Sequence, residues 1–315
     1  MNPRSIHVIR PGLLTTVQDL GRWGFQSQGV PVAGPMDLFS HRLANALVGN
    51  PREASALEIT LIGPELEFES DCVVAISGAE FVVTLGGVAV PHAQSFRVPS
   101  RSRIQFGARR RGARAYLAVD GGFDVPLVLG SRSTHAPSGI GGWEGRPLHK
   151  GDRVPLGGSR RRHASPSTST HAHDTLTDPA VVRVFAGPDD DRFRSDAFDA
   201  LQSAPYVIAA DSDRMGFRLQ GPELRHLAGA DIISDATPAG SVQVPGSGQP
   251  ILLMADRPTT GGYPRIATVI SADLGIAGQR APGDTVLFRV SNASDALSAL
   301  IARESALLAV EAAWS

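Results

Sequence analysis

Two glycine-rich segments of the sequence carry residue types that bind small anions. The segment ILLMADRPTTGGYPRIATVI places Arg257, Thr260 and Tyr263 between two apolar runs, and the preceding segment SVQVPGSG carries Gln243. Guanidinium, hydroxyl and amide groups make directed hydrogen bonds to carboxylates, and glycine lets a backbone approach a ligand closely. These residues therefore indicate a ligand-facing loop, although a hairpin turn rich in Gly and Pro would show the same pattern.

Two polar loops in the first half of the chain offer further arginines. The loop TTVQDLGRWG carries Arg22, and the loop LGSRSTHAPSGIGG carries Arg132. Each loop alone is more often an ion pair or a turn cap than a binding site. Our hypothesis is that the four residues of the glycine-rich segments line one pocket with Arg132 or Arg22, and that this pocket binds a small carboxylate or ureido group.

Motifs of a self-contained active site are missing from the sequence. There is no Gly-x-Ser-x-Gly elbow and no His-Glu-x-x-His pair. Lys150 is the only lysine, and because Gly151 and Asp152 follow it, it cannot end a Walker A loop for ATP. It also lacks the Met-Lys-Met surroundings of a biotin attachment site, so we expect no covalently bound cofactor. The sequence assigns no residue a catalytic role.

Metal binding and disulfide formation are not expected either. Cys72 is the single cysteine, and its apolar surroundings are typical of a small core residue. His171 and His173 lie in a polar stretch without a third ligand, whereas zinc sites use three or four protein ligands. We therefore predict no metal site.

The composition is that of an ordinary globular protein. The 315 residues are 42% hydrophobic and 19% charged, with a net charge of −1, so neither nucleic acid nor an anionic membrane is an expected partner. No apolar run approaches the roughly 20 residues of a membrane helix, and the first residues lack the apolar centre of a signal peptide. We expect a cytoplasmic protein.

Short strands must position the polar loops. Segments such as ALEITLIG, CVVAISG, AYLAVDGG and TVLFRV are rich in Val, Ile and Leu and are bounded by Gly, Pro or Asp, which is typical of β-strands. Helical periodicity is confined to segments that follow Pro35 and Pro188 and to the C-terminal segment, for which Ser294 is the predicted N-cap. The chain is predicted to be mainly β with a few short helices.

The two halves of the chain resemble each other. LEITLIGPELEF matches MGFRLQGPELRH, AYLAVDGGFDVPLVLGSR matches ILLMADRPTTGGYPRIATV, and GRPLHKGDRVPL matches GQRAPGDTVLFR, in the same order in each half. Three matched landmarks indicate an internal duplication. We predict an N-terminal domain at 1–157, a flexible polar linker at 158–179, and a C-terminal domain at 180–315 that includes the terminal helix.

Five blocks of the sequence resemble one protein family. PGLLTTVQDLGRWGF, LVGNPREASALEITLIGPEL, LGSRST, DRMGFRLQGPEL and QVPGSGQPILLMADRPTTGGYPRIATVISADL look like the signature blocks of the C-subunit family of bacterial 5-oxoprolinase. That family is also called biotin-dependent carboxyltransferase or the second subunit of allophanate hydrolase, and it includes the Kip-type antagonist of a sporulation kinase inhibitor. The resemblance implies two duplicated cyclophilin-like β-barrel domains.

The resemblance implies a role within a larger assembly. In the first interpretation, the chain is the C subunit of a complex that uses ATP to open 5-oxo-L-proline to L-glutamate. Its partners are then the B and A subunits of 5-oxoprolinase, which are Kip-inhibitor-like and lactam-utilisation-like proteins. In the second, it is the carboxyltransferase-like subunit of a urea carboxylase or allophanate system and accepts carboxybiotin from another chain. In the third, it is a non-catalytic antagonist of a Kip-type kinase inhibitor. We favour the first and expect the chain to be inactive alone.

One position departs from the family pattern near the predicted pocket. The block before Gln243 usually begins Ser-Glu-Gly, and here it is Ser234, Asp235 and Ala236. Aspartate is one methylene shorter than glutamate, so this departure predicts a contact that is lost or retuned for another substrate.

Overall fold

The structure, a computed structural model, describes residues 4–159 and 179–314. Almost all of the predicted linker lies outside these ranges, as do His171 and His173. The described residues divide into two compact units. The first unit takes 4–22, 33–159 and 304–314, and the second takes 23–32 and 179–303.

The first unit is built on one sheet. Its elements are β1 (Ser5–Arg10), β2 (Leu14–Gln18), α1 (Leu38–Leu47), β3 (Ala56–Thr60), β4 (Glu65–Phe68), β5 (Cys72–Leu85), β6 (Val88–Ala89), β7 (Ser95–Val98), β8 (Arg103–Val119) and β9 (Arg153–Pro155). Among the described residues the nine strands run in the order β2-β3-β8-β4-β1-β9, while β5 pairs with β6, β7 and β8. The path is open at β2 and β9, so this unit is a half-barrel.

The long strand β8 shows why the sequence folds this way. In its first half, buried Ile104 and Phe106 alternate with exposed Arg103 and Gln105, which is the pattern of a strand with one solvent-exposed face. Its second half, 113–119, is buried on both faces because α1 covers the side opposite the main core. The apolar run AYLAV therefore forms a buried central strand.

The second unit is a closed barrel. Its barrel strands are β10 (Ala180–Ala186), β11 (Tyr206–Ile208), β12 (Gly216–Gln220), β14 (Ser241–Gln243), β15 (Ile251–Leu253), β17 (Arg265–Val269) and β18 (Thr285–Val290). They close in the order β10-β17-β14-β15-β12-β11-β18, whereas β13 (Asp235–Ala236) and β16 (Thr260–Gly261) form a separate two-stranded ribbon. The prediction of a mainly β chain is confirmed.

The duplication is visible in matching strand pairs and turns. Antiparallel pairs β1/β9 and β3/β8 of the first unit correspond to β11/β18 and β12/β15 of the second. The Asp152 carbonyl accepts a hydrogen bond from the Val8 N–H at 2.9 Å, and the Asp284 carbonyl accepts one from the Ile208 N–H at 3.0 Å. In each turn the aspartate carboxylate also accepts the backbone N–H three residues earlier. The same Gly-Asp turn thus serves both halves.

Helices are few among the described residues and differ in part from expectation. Besides α1, the structure has α2 (Ala197–Ser203), the unpredicted α3 (Leu274–Gly278) and α4 (Ala293–Ala312), with 3-10 turns at Gln26–Gln28, Ala136–Ser138, Asp190–Arg192 and Ser271–Asp273. The predicted N-cap Ser294 is wrong, because the Asn292 side chain accepts the Asp295 N–H at 2.9 Å and α4 begins at Ala293. None of these helices is long and apolar enough to cross a membrane.

The end of α4 belongs to the first unit and not to the C-terminal half, where it was predicted to lie. Leu307 and Val310 are buried in one core cluster with Leu43 and Leu47 of α1. Glu304 accepts a bidentate ion pair from Arg42, at 2.5 and 2.9 Å. The helix therefore covers the apolar face of α1.

Candidate functional site

A buried aspartate organises the loop that carries Arg132. The Asp19 carboxylate accepts hydrogen bonds from the Ser131 hydroxyl at 2.6 Å, the Ser133 hydroxyl at 2.7 Å and the Arg132 N–H at 2.5 Å. A carboxylate that accepts several local donors fixes a loop in one conformation. Asp19 thereby holds the backbone of Arg132.

Arg22 braces the same loop from inside the first unit. Its side chain is fully buried, and it donates from Nε to the Val128 carbonyl at 2.9 Å and from Nη2 to the Ser133 carbonyl at 2.8 Å. A Cβ on Gly141 would lie 2.4 Å from Arg22 Nη2, so only glycine fits beside the guanidinium. These contacts hold the loop that carries Arg132, and contact between Arg22 and the substrate stays a prediction.

Arg132 itself lines a cavity in the first unit. The guanidinium donates from Nε to the Val125 carbonyl at 2.8 Å and approaches the Asp124 carboxylate at 3.4 Å. The cavity has a volume of about 400 Å³, enough for a small acid. Its lining is polar and rich in glycine: Asn50, Pro51, Glu53, Ala54, Ser55, Gly121, Gly122, Phe123, Asp124, Arg132 and Gly158.

Two side chains of this lining hold the turn after β8. Asn50 accepts the Gly121 N–H at 2.9 Å, and the Ser55 hydroxyl accepts the Phe123 N–H at 3.1 Å. Arg132, Glu53 and Asp124 remain the charged groups of the cavity wall. A ligand that carries a carboxylate for the guanidinium and an N–H group for a carboxylate matches this set of charges.

The four predicted residues of the glycine-rich segments lie in the second unit. Thr260 is exposed in β16, where it pairs with Ala236 of β13. Gln243 is buried in β14 and donates from Nε2 to the Tyr263 carbonyl at 3.3 Å. Tyr263 is 41% exposed, so its ring is open to solvent. The ribbon thus brings Gln243 and the 260–263 turn together.

Arg257 is a buried cation whose hydrogen bonds go to neutral groups. Its side chain donates to the Thr237 carbonyl at 2.7 Å and to the Met254 carbonyl at 3.4 Å. Within the described residues no carboxylate forms an ion pair with it. Burial lowers the pKa of the Arg257 guanidinium, while the charge of Asp256 acts in the opposite direction. A buried charge without an ion-pair partner costs the folded state free energy and favours an anionic ligand.

The neighbouring buried arginines of this unit are paired with carboxylates. Arg214 donates to both oxygens of Asp256 at 2.9 and 3.0 Å. Arg265 donates to Asp189 at 2.9 Å and to Asp235 at 2.7 Å. The Arg265 hydrogen bond lowers the pKa of the Asp235 carboxyl. The shorter aspartate at 235 therefore still reaches a guanidinium.

A second buried polar network lies beneath α1 and was not predicted from the sequence. The Tyr116 hydroxyl donates to Glu58 at 2.6 Å and accepts the Asp37 N–H at 2.7 Å. Burial, and then the Glu58 charge, raise the pKa of Tyr116 well above its usual value. Burial lowers the pKa of His41, whose Nε2 lies 3.0 Å from the Gln18 carbonyl. The sequence indicates this network only through Glu58, a carboxylate between the apolar residues Leu57 and Ile59 of β3. That strand is buried along its length.

Sequence reasoning also missed the residues that hold the predicted ones. Asp19 accepts from Ser131, 112 residues away in the sequence, and Arg265 donates to Asp189, 76 residues away. No local sequence motif indicates such pairs. In the described part of the chain, no group of three or more His, Cys, Asp and Glu side chains is placed to hold a metal ion.

Two β units with arginine-bearing loops match a known domain class. The family of the carboxyltransferase domain, subdomain A and B, matches residues 28–290, and the chain belongs to that family.

Its relatives include free-standing subunits and parts of larger enzymes. The C subunit of the Escherichia coli 5-oxoprolinase is 41% identical over 294 residues, which cover 93% of this chain and 94% of that protein. The subunit of the same name from Haemophilus influenzae is 36% identical over 281 residues, or 89% of each chain. The crystal structure of the K. lactis urea amidolyase superposes with a TM-score of 0.89 at 31% identity, over 98% of this chain and 20% of that one.

Proposed function

We propose that this chain is the C subunit of an ATP-dependent 5-oxoprolinase, which opens 5-oxo-L-proline to L-glutamate together with other subunits. The observation that carries the proposal is the 41% identity to the Escherichia coli protein across 94% of its length. A match that covers more than nine-tenths of both chains supports the same role in the same kind of assembly.

The proposed contribution of this chain is to bind the substrate carboxylate. Arg257 supplies a buried guanidinium without a carboxylate partner among the described residues, and Arg132 supplies a guanidinium on a cavity wall. Both groups are held by carbonyl hydrogen bonds, so little side-chain freedom is lost when an anion binds. Gln243, Thr260 and Tyr263 add amide and hydroxyl groups in the same unit as Arg257.

The remaining chemistry is assigned to the companion B and A subunits. A lactam is a poor electrophile, and transfer of a phosphoryl group from ATP to its oxygen makes the ring carbon open to attack by water. Lys150 is followed by Gly151 and Asp152, so this chain has no Walker A loop to bring the nucleotide. Preorganised donors on this chain would then orient the reacting acid.

Complementation tests this role directly. An Escherichia coli strain that lacks its own C subunit is given this chain and grown with 5-oxo-L-proline as the nitrogen source. Growth is expected with this chain and not with the empty vector. Absence of growth, with the chain present in soluble form and bound to the companion subunits, would contradict the proposal.

A second function, carboxyl transfer to urea or a related ureido compound, is favoured by one observation. The K. lactis urea amidolyase matches 98% of this chain, in addition to the match of the carboxyltransferase family to residues 28–290. In this alternative another chain carries the biotin, and the same guanidinium groups stabilise the charge that develops on the ureido group. Urea-dependent carboxylation in the presence of a biotin-carrying partner, without activity on 5-oxo-L-proline, would favour it.

A further inference from the structure

A dense group of arginines lies outside the candidate site. Residues 97–114 hold seven arginines and no aspartate or glutamate, in a chain whose net charge is −1. Arg109 and Arg110 are exposed on β8, and Arg111 is half-buried. Arg109 and Arg110, called the bulge arginines below, carry positive charge that no part of the proposed substrate binding uses.

The backbone aims these side chains outward. In the ladder between β5 and β8, Arg109 lies opposite Phe81 and Arg111 lies opposite Glu80, so Arg110 is an extra residue on β8. Such a bulge bends the strand and redirects its side chains. On its other edge β8 pairs with β4 at 103–105 and with β3 at 114–117. Between these ranges the described residues offer that edge no neighbouring strand.

The charges of the exposed pair are not neutralised locally. The Arg110 side chain makes no hydrogen bond or ion pair with the described residues, and Arg109 donates from Nη1 to the Gly112 carbonyl at 2.7 Å. Arg103, six residues before Arg109 on the same strand, donates to Glu67 at 2.7 Å. The chain therefore pairs Arg103 with a carboxylate and leaves Arg109 and Arg110 available to an outside carboxylate.

We propose that the bulge arginines dock an acidic segment of a companion subunit, an inference that rests on the proposed function for the identity of the partner. Arginine presents a planar fork that binds carboxylates in bidentate geometry and is weakly hydrated, which suits it to interfaces. Nucleic acid fits less well, because it selects a strongly basic domain, and this chain has a pI near 6.8. Charge also protects open strand edges from aggregation, and the experiment separates that role from docking.

Association with the companion subunits from the same organism is measured by biolayer interferometry at several salt concentrations. The double variant Arg109→Glu/Arg110→Glu reverses the exposed charges, and Arg109→Gln/Arg110→Gln removes them with less disturbance. Arg218→Glu/Arg225→Glu makes the same charge change on exposed residues of the second unit. The reversal is expected to weaken association at least about tenfold and to flatten its salt dependence, while the control stays within about twofold of wild type.

Several results would overturn the proposal. One is wild-type affinity in both bulge variants, and another is aggregation of those variants with binding to the companion subunits retained. A third is that the variants lose binding to a short DNA duplex while the multisubunit assembly stays intact. The fourth is that the wild-type chain does not associate with the companion subunits. A complex that assembles in the expected salt-dependent way but lacks activity on 5-oxo-L-proline would refute the proposed function and would support the docking surface.

Discussion

Replacing Arg257 by methionine should separate a ligand-binding cation from a structural one. The guanidinium is buried, and its side-chain hydrogen bonds end on the carbonyls of Thr237 and Met254. Methionine has a similar length and no charge. The matched control is Arg214→Met, because Arg214 is equally buried in the same unit and is paired through two hydrogen bonds with Asp256.

The expected free-energy changes follow from these contacts. Arg257→Met loses two hydrogen bonds to neutral groups, and the bond of 3.4 Å is weak, so the loss is about 1–2 kcal/mol. It also removes a buried charge that has no ion-pair partner among the described residues, and the penalty of that charge is of similar or larger size. The net change in the free energy of unfolding should lie within about 1 kcal/mol of zero or be a gain. Arg214→Met leaves Asp256 buried without its partner and should cost about 3–5 kcal/mol.

Urea unfolding of both variants and of wild type measures these changes, with turnover of the assembled complex measured beside them. Arg257→Met should reduce turnover of 5-oxo-L-proline at least about tenfold, or about 1.4 kcal/mol, while it folds as well as wild type. Arg257→Lys keeps the charge and should retain part of the activity. If Arg257→Met destabilises the chain as much as Arg214→Met, or turns over substrate like wild type, the guanidinium has a structural role and does not bind the substrate.

Three further outcomes follow from the contacts of the first unit and from the duplication. Asp19→Ala should destabilise the chain by about 2–4 kcal/mol because three donors of the 131–133 segment lose their acceptor, whereas Asp19→Asn should lose less; urea unfolding distinguishes them. The pKa of His41 is lowered from 6.5, so the unfolded state binds the proton more readily; stability should fall as pH drops below about 6.5, and His41→Gln should flatten this dependence in unfolding curves. Asp152→Ala and Asp284→Ala remove the same turn contact and should each cost about 1 kcal/mol, with the larger loss at Asp152, which also pairs with Arg146 at 2.8 Å; equal stability to wild type at either position would speak against a shared turn.

Local patterns were sufficient for the strands and for the duplication. The alternation of polar and apolar residues in RIQFG predicts the solvent-exposed and buried faces of β8, and the apolar run AYLAV predicts its buried half. The matched Gly-Asp turns could be recognised because turn chemistry depends on a few adjacent residues. Whether a sheet closes depends on strands far apart in sequence, so local patterns do not distinguish the half-barrel of the first unit from the closed barrel of the second.

The candidate binding site could be predicted only in part, because its side chains also depend on contacts between residues far apart in sequence. Residue types and glycines indicated Arg132 and Arg257 as candidate ligand-binding cations. The structure places Arg132 on a cavity wall. It places Arg257 in a buried position, where no carboxylate of the described chain pairs with it. Arg22 looks the same in sequence, and like Arg257 it donates to two carbonyls of its own unit. Whether a guanidinium holds a loop or binds an anion depends on partners far away in the sequence, and local patterns do not identify those partners. The joint presence of these guanidinium groups in one substrate pocket stays a prediction.

The measurement that bears most directly on the function is formation of L-glutamate from 5-oxo-L-proline and ATP by the purified companion subunits, with and without this chain. We predict that glutamate and ADP form only when this chain is added, that the chain alone forms neither, and that urea is not carboxylated. Glutamate formation at the same rate without the chain, or turnover of urea in place of 5-oxo-L-proline, would contradict its assignment as the C subunit of a 5-oxoprolinase.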